Sequence, residues 1–241
     1  MGEEVFTKLD LPSRLIPYRD VDCVEVRMLK GKDEKLLGDM NALNFEKRFN
    51  TLLSHGVLKG IDPTILTIGD RVYIMVWLAI NCYSADYPVE IICSECFGKS
   101  TVSIELGKLS KLYLPKDYKE PHEIELLNKD IVKLRLYRVG DQIQYLDYVQ
   151  DKGEDNLLYK LAQVMVDDKN MLERIKYLEE LDTKSLGLMR AFQEKYVHGV
   201  SLEAAYVCPK CGGKGVTPVP FRLDMVFPAG ETIAKSLGHS V

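Results

Sequence analysis

Two Cys-x-x-Cys pairs, far apart in the chain, constrain its fold more than any other feature. Cys93 and Cys96 lie in IICSECFGKS, and Cys208 and Cys211 lie in YVCPKCGGKG. Each pair follows an apolar, strand-like run and is followed by a Gly-Lys step, so the two segments look like copies of one local structure. Four thiolates on two tight turns are a typical ligand set for a structural, tetrahedral zinc ion. We therefore predict one structural Zn²⁺ per chain, bound by these four cysteines.

The separation of the two pairs predicts the topology of the chain. Between Cys96 and Cys208 there are 111 residues, whereas paired zinc knuckles are commonly about 15–20 residues apart. The matched strand–knuckle–strand context still favours a single shared site, which makes the intervening residues an insertion within a zinc ribbon. A closed four-thiolate site leaves the metal no open position for activating water. We therefore expect the ion to stabilise the fold and not to catalyse a reaction.

Three further interpretations of the cysteines stay open. A thioredoxin-like redox pair would lie at the start of a helix, whereas both pairs here lead into strands. The cysteines could also form separate disulfides or stay as unligated thiols. The acidic N-terminal segment, MGEEVFTKLD, lacks the basic start and apolar core of a secretory signal, which predicts reduced cysteines. Cys23 and Cys82 have no nearby partner, and we expect both to be small buried core residues.

The glycines that follow the two pairs have a predicted conformational role. Turns of this type need a residue with positive φ, which glycine adopts at no steric cost. We expect Gly98 to serve the first turn, and Gly212 and Gly213 to serve the second.

The composition argues against several classes of function. The formal net charge is −4, so long-range attraction to nucleic acid or to an anionic membrane is not expected. The most apolar run, residues 72–80, is about half the ~20 residues needed to cross a bilayer, and we predict a buried core helix instead. The sequence has no glycine-rich phosphate loop and no Gly-x-Ser-x-Gly motif. We expect no enzyme activity and no small-molecule substrate.

Lysines beside the cysteine pairs leave a nucleic-acid-binding zinc-ribbon module as the alternative function. These lysines are Lys99, Lys210 and Lys214.

The region before the first cysteine pair mixes strand and helix patterns. Residues 11–18 contain two prolines and are predicted to be extended, and residues 21–29 alternate like a half-buried strand. Helical spacing begins near residue 41. Thr67 and Asp70 form a capping pattern in front of a second helix. The sequence therefore predicts a strand region followed by a pair of helices.

The region between the cysteine pairs changes from strand to helix. Turn residues at 128–130 predict a β-hairpin, and residues 141–198 are helical almost throughout, with Asn170 and Asp182 as N-caps. Each helix has one apolar stripe, expected to pack against the protein's own core or against a partner. The stripe residues are Leu157, Leu158, Leu161, Met165, Leu172, Ile175, Leu178, Leu186, Met189 and Phe192.

Together these patterns predict an α+β fold built around an interrupted zinc ribbon with two CxxC knuckles. We predict four parts. They are an N-terminal strand region and helix pair (1–87), a ribbon formed by two distant segments (88–106 plus 200–227), an inserted hairpin and helical domain (107–199), and a tail (228–241).

The order of these features resembles a known family. An LPSR segment near the N-terminus is followed by IDPTILTIGDRVYIMVWLAINCYSADY, which runs into the first cysteine pair. A hairpin ending in VKLRLYRVGDQ, the helices and the second pair then follow. Over most of residues 11–227 the chain resembles the baseplate hub proteins of T-even-like contractile-tailed bacteriophages.

The resemblance implies a non-enzymatic role as a baseplate hub component or a hub-assembly factor. The implied partners are the tail baseplate hub proteins and the tape-measure protein. The implied location is the virion tail baseplate, the host cytoplasm during assembly, or both. The helix stripes and the tyrosine-rich residues 113–118 are the candidate partner surfaces.

Overall fold

Helices and small antiparallel sheets alternate along the chain. The computed structural model of the protein describes residues 4–37, 40 and 44–220, and within them the fold class is mixed α+β, as predicted. The predicted tail, residues 228–241, lies outside the described residues, as do residues 221–227 of the predicted ribbon. The fold therefore contains the two cysteine pairs and all of the segment between them.

The elements are named in chain order. The strands are β1 (Thr7–Lys8), β2 (Glu25–Val26), β3 (Leu58–Lys59), β4 (Asp86–Ile92), β5 (Lys99–Glu105), β6 (Lys111–Leu112), β7 (His122–Glu125), β8 (Ile131–Leu134), β9 (Gly199–Val200), β10 (Glu203–Val207) and β11 (Lys214–Pro218). The α-helices are α1 (Glu34–Leu37), α2 (Phe45–Leu52), α3 (Ile68–Cys82), α4 (Val139–Lys152), α5 (Leu157–Val164), α6 (Met171–Glu179) and α7 (Thr183–Lys195). β1, β2 and β3 form one sheet, and β4–β5, β7–β8, β10–β11 and β6–β9 form two-stranded pairs.

Helix α3 lies between two hydrophobic cores. Thr67 is its N-cap and accepts a hydrogen bond from the Asp70 amide at 3.3 Å, which confirms the predicted capping pattern. One core contains Ile74 and Leu78 with the N-terminal strands and α2. The other contains Val76 and Ala79 with the β4–β5 and β10–β11 hairpins. Because it is buried on both sides, α3 connects the N-terminal region to the hairpins that hold the cysteines.

The extended conformation predicted for residues 11–18 is wrong. This segment forms successive turns, and both Arg14 and Leu15 have left-handed φ values, of 56° and 61°. The reason is a tertiary contact with the start of α3. The buried Asp70 carboxylate accepts hydrogen bonds from the Ser13 amide at 2.9 Å and from the Tyr18 hydroxyl at 2.5 Å. A carboxylate buried at this position needs such donors. The strand predicted for residues 21–29 is correct only at Glu25–Val26.

The predicted hairpin and helices surround a third core. Asn170 and Asp182 are confirmed as N-caps of α6 and α7. Most stripe residues are buried or partly buried in this core, so the stripes mainly serve the protein's own packing. Leu157 and Leu172 are exceptions, because they lie in the first turns of α5 and α6 and face solvent, with exposures of 43% and 62%.

The end of the helical region contacts the start of α3 through a hydrogen bond and a close backbone approach. The His198 Nδ1 donates to the Tyr196 carbonyl at 2.9 Å, and the other ring nitrogen, Nε2, is hydrogen-bonded to the Thr67 hydroxyl at 2.7 Å. The backbones at Gly199 and Gly69 also approach so closely that a β-carbon on Gly199 would lie 2.8 Å from the Cα of Gly69. The segment that returns toward the second cysteine pair therefore crosses directly over the first turn of α3. In the part of the chain that is described, no helix has both the length and the apolar character to span a membrane.

We expect Gly69→Ala to destabilise the protein, although alanine is the better helix former by about 1 kcal/mol. An added β-carbon would lie 2.1 Å from the backbone carbonyl oxygen of His198. Relieving this overlap requires a backbone shift, and we expect a loss of about 1–3 kcal/mol in the free energy of unfolding. Urea denaturation measures the change. Gly107→Ala is the control, because nothing lies within 4 Å of its new β-carbon. Equal unfolding midpoints for the two variants would contradict the crossing geometry.

Candidate metal centre

Two hairpins of matching design carry the four cysteines. β4 and β5 pair in register up to Ile92 opposite Lys99, and β10 and β11 pair up to Val207 opposite Lys214. The first turn, residues 93–98, and the second turn, residues 208–213, therefore have the same length. The two segments are copies of one local structure, as the sequence predicts.

The backbone hydrogen bonds of the two turns are equivalent. In the first turn, the Phe97 amide donates to the Cys93 carbonyl at 2.9 Å, and in the second the Gly212 amide donates to the Cys208 carbonyl at 2.9 Å. The amide of the first cysteine in each pair donates to the carbonyl of the last glycine in its turn, at 3.2 Å for Gly98 and 2.8 Å for Gly213. Two turns with the same bonds present their thiols in the same way.

The residue with positive φ follows the second cysteine of each pair. In the second turn it is Gly212, with φ of 77°, as predicted. In the first turn it is Phe97, with φ of 53°, so the prediction that Gly98 has this role is wrong. The turn geometry fixes the position, and the sequence places a phenylalanine there at a cost of roughly 1–2 kcal/mol. Its ring is 79% exposed.

Gly98 and Gly213 instead make room for side chains from the opposite turn. A β-carbon on Gly98 would lie 3.0 Å from Cδ of Lys210, and one on Gly213 would lie 2.6 Å from the carboxylate of Glu95. Glu95 and Lys210 occupy the same place in their pairs, CSEC and CPKC. Sequence reasoning missed this exchange, although the equivalent positions of the two residues were a usable signal. Each turn is therefore covered by the charged side chain of the other.

The four sulfurs lie together at the tips of the hairpins. Cys93 Sγ is 3.7 Å from Cys211 Sγ, and Cys96 Sγ is 3.8 Å from Cys208 Sγ. All four sulfurs lie within 4.8 Å of one another, and among the residues described no other group of His, Cys, Asp or Glu side chains is placed to hold a metal. A disulfide would need about 2.05 Å, so the thiols are free.

The spacing of the sulfurs fits a tetrahedral thiolate site. Metal–sulfur bonds of about 2.3 Å in a tetrahedron place the sulfurs about 3.8 Å apart, which matches both measured contacts. His198 lies away from this cluster, bonded to Thr67. The donor set that could hold a metal is therefore four sulfurs.

The two cysteines of each pair differ in burial. Cys93 and Cys208 are 1% exposed and belong to the core that α3 shares with the hairpins. Cys96 and Cys211 are exposed. Each pair therefore attaches the site to the core through its first cysteine and presents its second cysteine to solvent.

The remaining cysteines take no part in the cluster. Cys23 and Cys82 are half-buried, so they are less enclosed than the sequence predicts. The Cys82 sulfur accepts a hydrogen bond from the Leu29 amide at 3.3 Å.

The family of the chain follows from a comparison with sequence models of known families. Residues 16–227 match the family described as T4 bacteriophage base plate protein. The chain belongs to this family. The matched region of this baseplate protein includes both cysteine pairs and every element from α1 to β11. Searches of curated proteins and of solved structures give no match. Family membership indicates a structural role in the phage tail, among other baseplate proteins.

The electrostatics of the cluster favour ionisation of one thiol near neutral pH. Backbone amides of Lys210 and Cys211 donate to the Cys208 sulfur and lower its pKa to about 7. The Gly213 amide also donates to Cys211, but hydrogen bonds with the neighbouring thiols outweigh it and raise the pKa of Cys211 to about 12. The thiols therefore share their protons, and a metal ion that needs thiolates would displace them.

We expect the metal-free baseplate protein to become more stable between pH 7 and pH 9. The Cys208 thiol has a pKa of about 7 in the folded chain and an ordinary value of 9.0, so in this window the unfolded chain binds more protons and rising pH favours folding. The measurement is the free energy of unfolding against pH, after chelation and under a reductant. Cys208→Ser should flatten the rise. An identical pH profile for the variant would rule out Cys208 as its source.

Proposed function

We propose that this baseplate protein is a non-enzymatic component of the baseplate hub, or a factor that assembles it, stabilised by one structural Zn²⁺. The observation that carries the proposal is the family match, which extends over both halves of a four-cysteine cluster. The proposed ligands are Cys93, Cys96, Cys208 and Cys211. A tetrathiolate site is closed, so the metal acts as a clamp and supplies no catalytic position.

The proposed clamp is an interrupted zinc ribbon, made from residues 88–106 and residues 200–227. On this view residues 1–87 form an N-terminal unit, and residues 107–199 are inserted between the halves of the ribbon. A two-stranded hairpin is at best marginally stable by itself. Binding one ion to both hairpins adds the metal-binding free energy to the stability of the fold. Zinc is proposed over other divalent metals because four sulfur donors in a tetrahedron suit it well.

The proposed partners are the other hub proteins and the tape-measure protein, in the virion tail or in the host cytoplasm during assembly. Because the helix stripes mainly build the protein's own core, the contact surface falls on the apolar residues they leave exposed. We propose that the exposed Leu157 on α5 and Leu172 on α6 take part in this contact. The proposed partners at this surface are other baseplate proteins, since the chain belongs to a baseplate family.

We expect protein purified without chelators to contain about one zinc per chain, by elemental analysis against protein concentration. Cys93→Ser and Cys208→Ser should each abolish zinc binding, because one ion joins both turns. Both should lower the free energy of unfolding by similar amounts, about 4 kcal/mol or more, as for loss of a metal site.

Cys23→Ser is the matched control, since Cys23 lies outside the cluster, and it should retain zinc and stability. Absence of zinc from the purified wild-type protein would refute the clamp. A single cluster variant that kept its fold while the other lost it would refute the shared site.

We expect the tagged protein to capture baseplate hub proteins, identified by mass spectrometry, from phage-infected lysate. Leu172→Glu should weaken this capture about tenfold or more, because it places a charge in the proposed apolar contact. Val5→Glu is the control, since Val5 is 81% exposed and lies on the N-terminal segment.

If the protein is present in purified phage particles, it is a hub component. If it is absent from the particles but captures hub proteins from lysate, it is an assembly factor. Capture of no baseplate protein would contradict both roles. Retention on DNA that weakens steeply with salt would instead support a nucleic-acid-binding module.

A further inference from the structure

Only two of the four sulfurs are open to a solution oxidant. Cys96 and Cys211 are exposed, whereas Cys93 and Cys208 are 1% exposed. Zinc-bound thiolates keep their nucleophilic character, so exposure decides which of them meets an electrophile first. Attack therefore begins at the second cysteine of one of the two pairs.

The two exposed sulfurs have opposite charges beside them. A β-carbon placed on Gly98 would lie 3.3 Å from Cys96 Sγ and 3.5 Å from Lys210 Nζ, so the ammonium group and this sulfur flank the same glycine. The carboxylate of Glu95 instead lies against Gly213, whose amide donates to the Cys211 sulfur at 3.4 Å. A positive neighbour stabilises the negative charge that develops on the departing hydroxide as the O–O bond breaks, and a negative neighbour opposes it. Cys96 is therefore the more reactive of the two.

The sulfur in contact with Cys96 belongs to the other turn. Cys208 Sγ lies 3.8 Å away, and the corresponding contact of Cys93 is with Cys211 at 3.7 Å. Cys208 is buried, so a solution reagent does not reach it before Cys96 does. Its position makes it the resolving thiolate for an oxidised Cys96.

We propose that Cys96 is a modification site for hydrogen peroxide, and that its oxidation ends in a Cys96–Cys208 disulfide between the two turns. This inference rests on the proposed zinc site. The Cys96 thiolate attacks a peroxide oxygen, the O–O bond breaks, and the departing oxygen takes a proton to leave as water, which gives the sulfenic acid. The Cys208 thiolate then attacks the Cys96 sulfur, and the hydroxyl group leaves as a second water after protonation. The peroxide is reduced by two electrons and the two thiolates are oxidised. Only Cys93 and Cys211 would then remain as ligands, so a bound Zn²⁺ would be released.

The position of the disulfide has a structural consequence. It joins residues 112 positions apart in the sequence, and so connects the same two turns that the metal connects. A crosslink over so long a loop removes much of the freedom of the unfolded chain. The oxidised, metal-free protein is therefore more stable than the reduced, metal-free protein.

The test treats the full-length, zinc-loaded protein with hydrogen peroxide. Zinc release is followed with a chromogenic chelator, and the disulfides are mapped by non-reducing peptide mass spectrometry. Cys96–Cys208 is expected as the first crosslink. Lys210→Glu should slow zinc release about fivefold, since it removes the favourable charge. The double variant Glu95→Lys/Lys210→Glu should move the first crosslink to Cys93–Cys211, while Lys116→Glu, remote in sequence from both turns, should change neither rate nor product.

Crosslinks within each pair, Cys93–Cys96 and Cys208–Cys211, would overturn the proposal, as would a release rate that does not respond to charge at residue 210. If the purified protein carries no zinc, the proposed clamp fails. The same peptide mapping on the reduced protein still decides whether Cys96 and Cys208 are the first pair to join. The two failures are therefore distinguishable.

Discussion

The convergence of four sulfurs is the constraint on which the rest of the structure depends. It requires the chain to leave one hairpin, build an entire helical region, and return with Cys208 beside Cys96, 3.8 Å between sulfurs. Neither hairpin has more than two strands, so neither has a sheet large enough for independent stability. Their inner faces share one core with α3, in which the buried Cys93 and Cys208 pack as apolar side chains. The two hairpins are therefore held in place by the sulfur cluster and by packing on α3, and not by strand pairing alone.

The long segment between the two hairpins is compatible with this cluster because its two ends are paired with each other. β6, at the start of this segment, pairs with β9, at its end, with Lys111 opposite Val200. Directly before β9, His198 is bonded to the N-cap of α3, and the two glycine backbones cross there without side chains to separate them. With entry and exit fixed, the residues between them do not alter the distance between the hairpins. Since the cost of closing a loop grows only slowly with its length, the size of this segment matters little.

Local patterns were readable from the sequence where local bonds decide the structure. The caps at Thr67, Asn170 and Asp182 each depend on a side chain bonding an amide two or three residues ahead, and the spacing of the cysteine pairs likewise describes a single turn. The turns at residues 11–18 were not predictable in this way, because their donors meet Asp70, 57 positions from Ser13. The exchange of Glu95 and Lys210 between turns is signalled in the sequence only by their equivalent positions, and it forms only when the two hairpins face each other. Contacts across the chain, and not weak propensities, account for these differences.

The two turns have the same backbone hydrogen bonds but different side chains. The backbone therefore sets the positions of the sulfurs, and the side chains set the charge around them. The arrangement of the four sulfurs depends on features that the turns have in common: equivalent backbone hydrogen bonds, one buried cysteine each, and one exposed cysteine each. The side chains are unlike, with Phe97 where the other turn has Gly212, and Glu95 where it has Lys210. Such substitutions leave the ligand geometry intact while changing the charge and the surface around each exposed sulfur. Four sulfur ligands alone would not require these differences, so the asymmetry concerns the surroundings of the cluster and not the geometry of its sulfurs.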